Sequence, residues 1–168
     1  MVIKTFLVED RLDISSTLIE AMEEFASVRF VGLAEDEAGA RTWLAANDGK
    51  WDLAIVDLFL ASGSGFGVLK DCQGRSAQQK VVVLTSYAQD NVLQRCRELG
   101  ADAVFDKSLH VEELVNFCRL HANHLGSMQQ TGLISDQIPG IPLHQTSGMG
   151  LLDQTSGMGL LQYAATQA

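Results

Sequence analysis

At four places in this chain an apolar run ends on a residue able to do chemistry. Glu9 and Asp10 follow Thr5–Val8, and Asp57 follows Leu53–Val56. Thr85 and Ser86 follow Val81–Leu84, and Asp106 and Lys107 follow Ala103–Phe105. Taken singly, each has an ordinary use as a turn, a helix cap or a solvated surface charge. Taken together they are a set. Close carboxylates repel one another and raise each other's pKa unless a cation lies among them. Magnesium prefers hard oxygen ligands, keeps several waters and suits a few carboxylates beside a phosphate. A carboxylate can also attack phosphorus as a nucleophile, giving an acyl phosphate. Charge on the phosphoryl oxygens then needs metal, ammonium and hydroxyl partners. Glu9, Asp10 and Asp57 with Thr85 and Lys107 thus read as a site for Mg²⁺-assisted phosphoryl transfer onto Asp57.

That chemistry requires elements that bring four distant segments to one edge. Thr5–Val8, Arg29–Ala34, Leu53–Val56, Val81–Leu84 and Ala103–Phe105 read as strands. Several are apolar throughout, as in strands covered on both faces. Between them lie helical patterns. Ile14, Leu18, Ala21, Met22 and Phe25 mark the first, and Ala38–Ala46 and Phe66–Cys72 fill the next two. Val92, Leu93, Cys96 and Leu99 mark the fourth, closed by Gly100 as a C-terminal stop, and Val111, Leu114, Val115 and Cys118 mark the fifth. Five βα units predict an α/β fold with a doubly wound parallel sheet and helices on both faces. In such folds ligands gather at the carboxyl ends of the strands, where the residues above fall.

The 168 residues suffice for one compact domain and carry a formal charge of −9. The charge is uneven. Residues 1–124 hold 19 acids and all 12 bases, whereas 125–168 hold only Asp136 and Asp153, both prolines and 7 of the 15 glycines. The division expected is therefore a domain over 1–124 and a flexible, charge-poor tail over 125–168, with helical periodicity fading from Leu125. Within the tail, Gln145–Asp153 is repeated as Gln154–Gln162 with only the last residue changed. Two copies are too few for a solenoid. The Leu151-Leu152 and Leu160-Leu161 pairs are the candidates for docking on a partner or on a second copy of the chain. No lysine or arginine follows Arg119, so a DNA-binding output domain is not expected there. The acidic balance also argues against nucleic acid and anionic membranes. No apolar run has the roughly 20 residues that a membrane span needs, and the short first run is no signal peptide, which leads to an expectation of a cytoplasmic protein. Cys72, Cys96 and Cys118 form no CxxC or Cys/His cluster and read as reduced, buried residues. The glycine-rich Gly63–Gly67 follows the third strand instead of the first and lacks an acidic partner about 20 residues on, so it reads as a flexible loop into the third helix. The four histidines are scattered, with His110 placed near the start of the fifth helix.

Over residues 3–124 the chain resembles the receiver domain of two-component response regulators. The acidic pair Glu9-Asp10, the strand end Ile55-Val56-Asp57-Leu58, Gly65, Thr85-Ser86 and Gly100-Ala101-Asp102-Ala103 leading to Lys107 carry the resemblance. It implies a flavodoxin-like (βα)5 fold with strand order 2-1-3-4-5. It implies that Asp57 accepts a phosphoryl group from a sensor histidine kinase or phosphotransfer protein. Mg²⁺ (or Mn²⁺) would be held by Glu9, Asp10, Asp57 and the backbone carbonyl of Phe59, with Thr85 bonding the phosphoryl group and Lys107 pairing with it. The expected protein is a stand-alone response regulator, a signalling switch rather than a metabolic enzyme. It would act through an unknown protein target, with a homodimer through the fourth helix, fifth strand and fifth helix, or through the tail, as a further expectation.

The chain also departs from the family pattern. Ala61 and Ser108 stand where proline is common, so a cis bond after Lys107 is not expected. Val104 occupies the aromatic switch position, and the adjacent Phe105 should face the other side of the sheet. Phe59 and Tyr87 flank the acceptor, and the expectation is that they shield the acyl phosphate from water. Two other readings compete. A phosphatase of the haloacid-dehalogenase type would need an Asp where Phe59 stands. A phosphorylation-independent receiver-like interaction module would usually lack one of the chemical residues, and all are present.

Overall fold

The structure, a computed structural model, describes residues 1–134. Five strands, β1 (Ile3–Val8), β2 (Val28–Ala34), β3 (Leu53–Val56), β4 (Lys80–Thr85) and β5 (Ala103–Asp106), alternate with five helices. The helices are α1 (Leu12–Phe25), α2 (Glu37–Ala46), α3 (Gly65–Asp71), α4 (Asp90–Glu98) and α5 (Val111–Ile134), with a 3₁₀ turn at Cys72–Gly74. All strand pairs are parallel, and the order is β2-β1-β3-β4-β5. This is the flavodoxin-like fold, and its order reverses at β1 and β3, the strands that end on Glu9 and Asp57.

The strands form where apolar runs can be covered on both faces, and the alternation of side chains sorts the core into two layers. Ile3, Leu7, Leu53, Ile55, Val82, Leu84 and Phe105 face Leu18 and Met22 of α1 and Leu114, Cys118 and Ala122 of α5. Phe6, Val8, Ala54, Val56, Val81 and Val83 face Ala40 and Leu44 of α2, Val68 and Leu69 of α3, and Cys96 of α4. Phe105 thus lies under α5, edge-on to Phe117 with ring centroids 6.0 Å apart, and Val104 packs on the α4 side. One glycine shapes the second layer. A Cβ on Gly32 would come within 2.3 Å of the Trp43 ring, which stacks on Phe6 at 3.9 Å.

Two readings need correction. The helical pattern does not fade at Leu125: α5 continues to Ile134, and Leu125 is buried with the α1–α5 layer. Leu114, Cys118, Ala122 and Leu125 anchor one face of the helix, which continues beyond them through exposed Ser127, Met128 and Gln129. The Gly63–Gly67 segment is not a loose loop either. The carboxylate of Glu37 accepts the Ser64 N–H at 2.8 Å, Ser64 caps α3 through Phe66 N–H, and α3 begins at Gly65. The three glycines serve close approach: a Cβ on Gly63 or Gly67 would meet the Glu37 side chain, and one on Gly65 would meet the Asp57 carbonyl. The duplicated block and its leucine pairs lie outside the described residues. All three cysteines are buried and unpaired, and burial pushes the Cys72 thiol up to about 11 and the Cys118 thiol up to about 12.

Candidate functional site

The sheet's own hydrogen-bond ladder fixes the backbone of the chemical residues. Glu9 N–H donates to Ala34 O at 3.0 Å, Asp57 N–H to Val8 O at 2.9 Å, and Lys107 N–H to Thr85 O at 3.0 Å. Each bond runs one residue beyond a strand end, so the side chains project from a rigid edge instead of a loop. Glu9, Asp57 and Thr85 are buried, and Asp10 is half-buried.

Glu9, Asp10 and Asp57 place carboxylate oxygens within 4.8 Å of one another. Lys107 Nζ lies 2.6 Å from Glu9 Oε2 and 2.7 Å from Asp57 Oδ2. Burial alone would lower the Lys107 pKa, but the Asp57 and Glu9 carboxylates outweigh it and hold the ammonium above its ordinary value. Asp10 Oδ2 accepts the Ala61 N–H at 2.9 Å, and Asp57 Oδ1 accepts the Phe59 N–H at 3.3 Å. Phe59 therefore sits on the turn that leaves the acceptor. Glu9 Oε1 accepts the Arg11 N–H at 3.3 Å, and a single ammonium, bonded to Glu9 and Asp57, is left to balance a group of three carboxylates.

Sequence reasoning places all these residues at one edge, and the structure joins Glu9, Asp10, Asp57 and Lys107 directly. Thr85 stands on the neighbouring strand end with its Oγ1 accepting the Tyr87 N–H at 3.4 Å. Ser86 is exposed. Asp106, also at a strand end, does not join the acidic group, and its Oδ1 accepts the Ser108 N–H at 2.7 Å. The rings of Phe59 and Tyr87 meet at 4.9 Å between centroids, each about half exposed. Their contact could be read from equal offsets after Asp57 and Thr85. The tie from Glu37 to the loop after Asp57 could not, because no local pattern marks it. No peptide bond among the described residues is cis, so the chain passes from Lys107 to Ser108 in the ordinary form. Among the described residues no helix is long and apolar enough to cross a membrane.

The parallel order 2-1-3-4-5 and the acidic pocket at its carboxyl edge define a class of phosphoacceptor signalling domains. The family model for the response regulator receiver domain matches residues 5–119. The chain is 33% identical over 117 residues to the transcriptional regulatory protein CiaR of Streptococcus pneumoniae, covering 67% of this chain and 48% of that protein. It is 27% identical over 95 residues to a cyclic di-GMP phosphodiesterase of Thermotoga maritima, covering 56% of this chain and 25% of that protein. It thus spans about half or less of the length of these curated relatives. Among solved structures, the response regulator domain of Thermotoga maritima CheB superposes with a TM-score of 0.63 at 19% identity, covering 73% of this chain and 98% of that one. A LuxR-family DNA-binding response regulator from Staphylococcus aureus gives 0.63 at 15% identity, covering 71% and 98%.

This chain belongs to the response regulator receiver domain family of two-component systems. Receiver domains are signalling phosphoacceptors that bind Mg²⁺ at an acidic cluster, and Glu9, Asp10 and Asp57 form such a cluster here.

Proposed function

We propose that this receiver takes a phosphoryl group on Asp57 from a sensor histidine kinase or phosphotransfer protein and signals through contact with a protein target. A carboxylate oxygen of Asp57 attacks phosphorus, the P–N bond to the donor imidazole breaks, and the imidazole leaves with a proton. The observation that carries this reading is three carboxylates within 4.8 Å of one another balanced by one buried lysine. Such a site has excess negative charge on a fixed frame, which a divalent cation relieves. Glu9, Asp10 and Asp57 with the Phe59 carbonyl are the residues that would hold Mg²⁺, which when bound neutralises charge on the phosphoryl oxygens. Lys107 is poised on Asp57 and pairs with the incoming group. Thr85, on the adjoining strand end, bonds it from the other side. Phe59 and Tyr87 cover the acceptor and keep water from the acyl phosphate.

In this reading the receiver acts in the cytoplasm as a switch read out by contact with a protein target. A homodimer forms through the α4–β5–α5 face. The acidic charge of −9 supports the choice of protein over DNA. A second reading, a receiver-like interaction module that works without phosphorylation, draws on Val104, which leaves the switch position without an aromatic ring while Phe105 is committed to the α5 core. Incubation with acetyl phosphate and Mg²⁺ followed by intact mass separates the two. The first reading expects a gain of one phosphoryl group that Asp57→Asn abolishes. No gain in either protein favours the second.

A further inference from the structure

β5 is an edge strand, and its last residue has a backbone problem. Lys107 N–H points inward to Thr85 O, so the N–H of Asp106 points outward, away from β4. An edge N–H left there would need water or a side chain. His110 supplies it: Asp106 N–H donates to His110 Nδ1 at 3.1 Å. The Asp106 carbonyl, on the same outward side, accepts His110 N–H at 2.9 Å and Leu109 N–H at 3.3 Å. The Asp106 carboxylate takes Ser108 N–H at 2.7 Å. His110 in turn immediately precedes α5, its carbonyl accepting Leu114 N–H at 3.1 Å. Every polar group of Asp106 is therefore spent on the three residues that follow Lys107.

We propose that His110 and Asp106 form a clamp that fixes the backbone at Lys107 and so aims its ammonium at Asp57 and Glu9. Ser108 leaves this loop without a proline ring to stiffen it, and the clamp closes it with hydrogen bonds instead. His110 is a positioning residue that acts through Lys107, with its imidazole Nδ1 as the acceptor. The inference rests on the phosphoacceptor reading only for its kinetic consequence. The positioning itself does not depend on it.

Two variants separate positioning from general support. His110→Ala removes the acceptor, whereas His110→Asn keeps one at the same distance from the backbone, in Oδ1. In the full-length protein with Mg²⁺ and acetyl phosphate, His110→Ala should slow phosphorylation roughly tenfold, and His110→Asn should restore it to within about twofold. In a Lys107→Ala background, His110→Ala should add nothing further, because the clamp acts through the lysine. NMR of the Lys107 side chain gives a readout free of phosphorylation: its ε-resonances should move toward those of a free lysine in His110→Ala and stay in place in His110→Asn. Equal lysine resonances in wild type and His110→Ala would overturn the clamp. So would an Asn variant as impaired as the Ala variant, or a full further loss in the Lys107→Ala background. If the wild type takes no phosphoryl group while the lysine resonances respond as expected, the phosphoacceptor reading falls and the clamp stands.

Discussion

The two ends of the sheet both gather charged residues, and they treat them in opposite ways. At the amino ends of β4 and β5, Asp102 is one carboxylate among several donors. It accepts Val81 N–H at 2.8 Å and pairs with Arg75 at 2.8 Å and Lys80 at 3.1 Å. Burial would raise its pKa, but these partners outweigh it and hold the carboxyl below its ordinary value. Nearby, Asp52 trades backbone bonds with Lys4 and its carbonyl meets His121 Nε2 at 3.1 Å. At the carboxyl ends the ratio inverts, with three carboxylates around one lysine. A network with more cations than anions per carboxylate holds strands together. A network short of cations carries the charge and the hard oxygen donors that suit a divalent ion. Charge density alone does not mark a functional site, but its imbalance does.

Removing a carboxylate should therefore have opposite signs at the two ends. Asp102→Asn strips a charged acceptor from Arg75, Lys80 and Val81, and should cost about 2 kcal/mol in denaturant unfolding. A neutral result would erase the distinction drawn here. The next effect sharpens the functional end. Replacing Phe59 and Tyr87 together by Ser should speed loss of the phosphoryl group about tenfold, by opening the acyl phosphate to water. Unchanged decay would remove their shielding role. Asp10→Asn keeps an acceptor for Ala61 N–H while relieving repulsion, so without divalent cation it should stabilise the fold by about 1 kcal/mol. It should also abolish the rise in melting temperature that Mg²⁺ produces in the wild type. Loss of stability with retained Mg²⁺ response would contradict the imbalance. The smallest effect lies at the structural end. Burial holds His121 below its usual 6.5, with Lys80 and His124 lowering it further and the Asp52 carbonyl and carboxylate opposing. A depressed histidine favours the fold when neutral, so its stability is full above about pH 6.5 and is lost as pH falls through the folded value. His121→Gln should flatten that slope by under about 1 kcal/mol in urea melts at successive pH values.

Much of this is legible in the sequence. β3 was bounded correctly as Leu53–Val56 because its apolar run ends abruptly on charge at both sides. β4 and β5 each run one residue past the carboxyl end of their apolar stretches, because Thr85 and Asp106 still pair across the sheet, and β4 also gains Lys80 at its start, paired with Leu53. The face of Phe105 followed from strand alternation alone. What stayed hidden was long-range or backbone-directed. The Glu37 carboxylate reaches Ser64 N–H across the gap between α2 and the loop after β3. His110 turns a ring nitrogen back onto a strand edge. Neither contact leaves a spacing in the sequence. The reach of α5 past Leu125 leaves no apolar periodicity to read, because Ser127, Met128 and Gln129 on that stretch are exposed.

The central claim is that Asp57 is the residue that becomes phosphorylated. Its most direct test is borohydride trapping: treat the protein with acetyl phosphate and Mg²⁺, reduce the acyl phosphate to the alcohol, digest and sequence by mass spectrometry. The account predicts homoserine at position 57, formed only when Mg²⁺ is present. Reduction at another carboxylate, or none at any position, would contradict it.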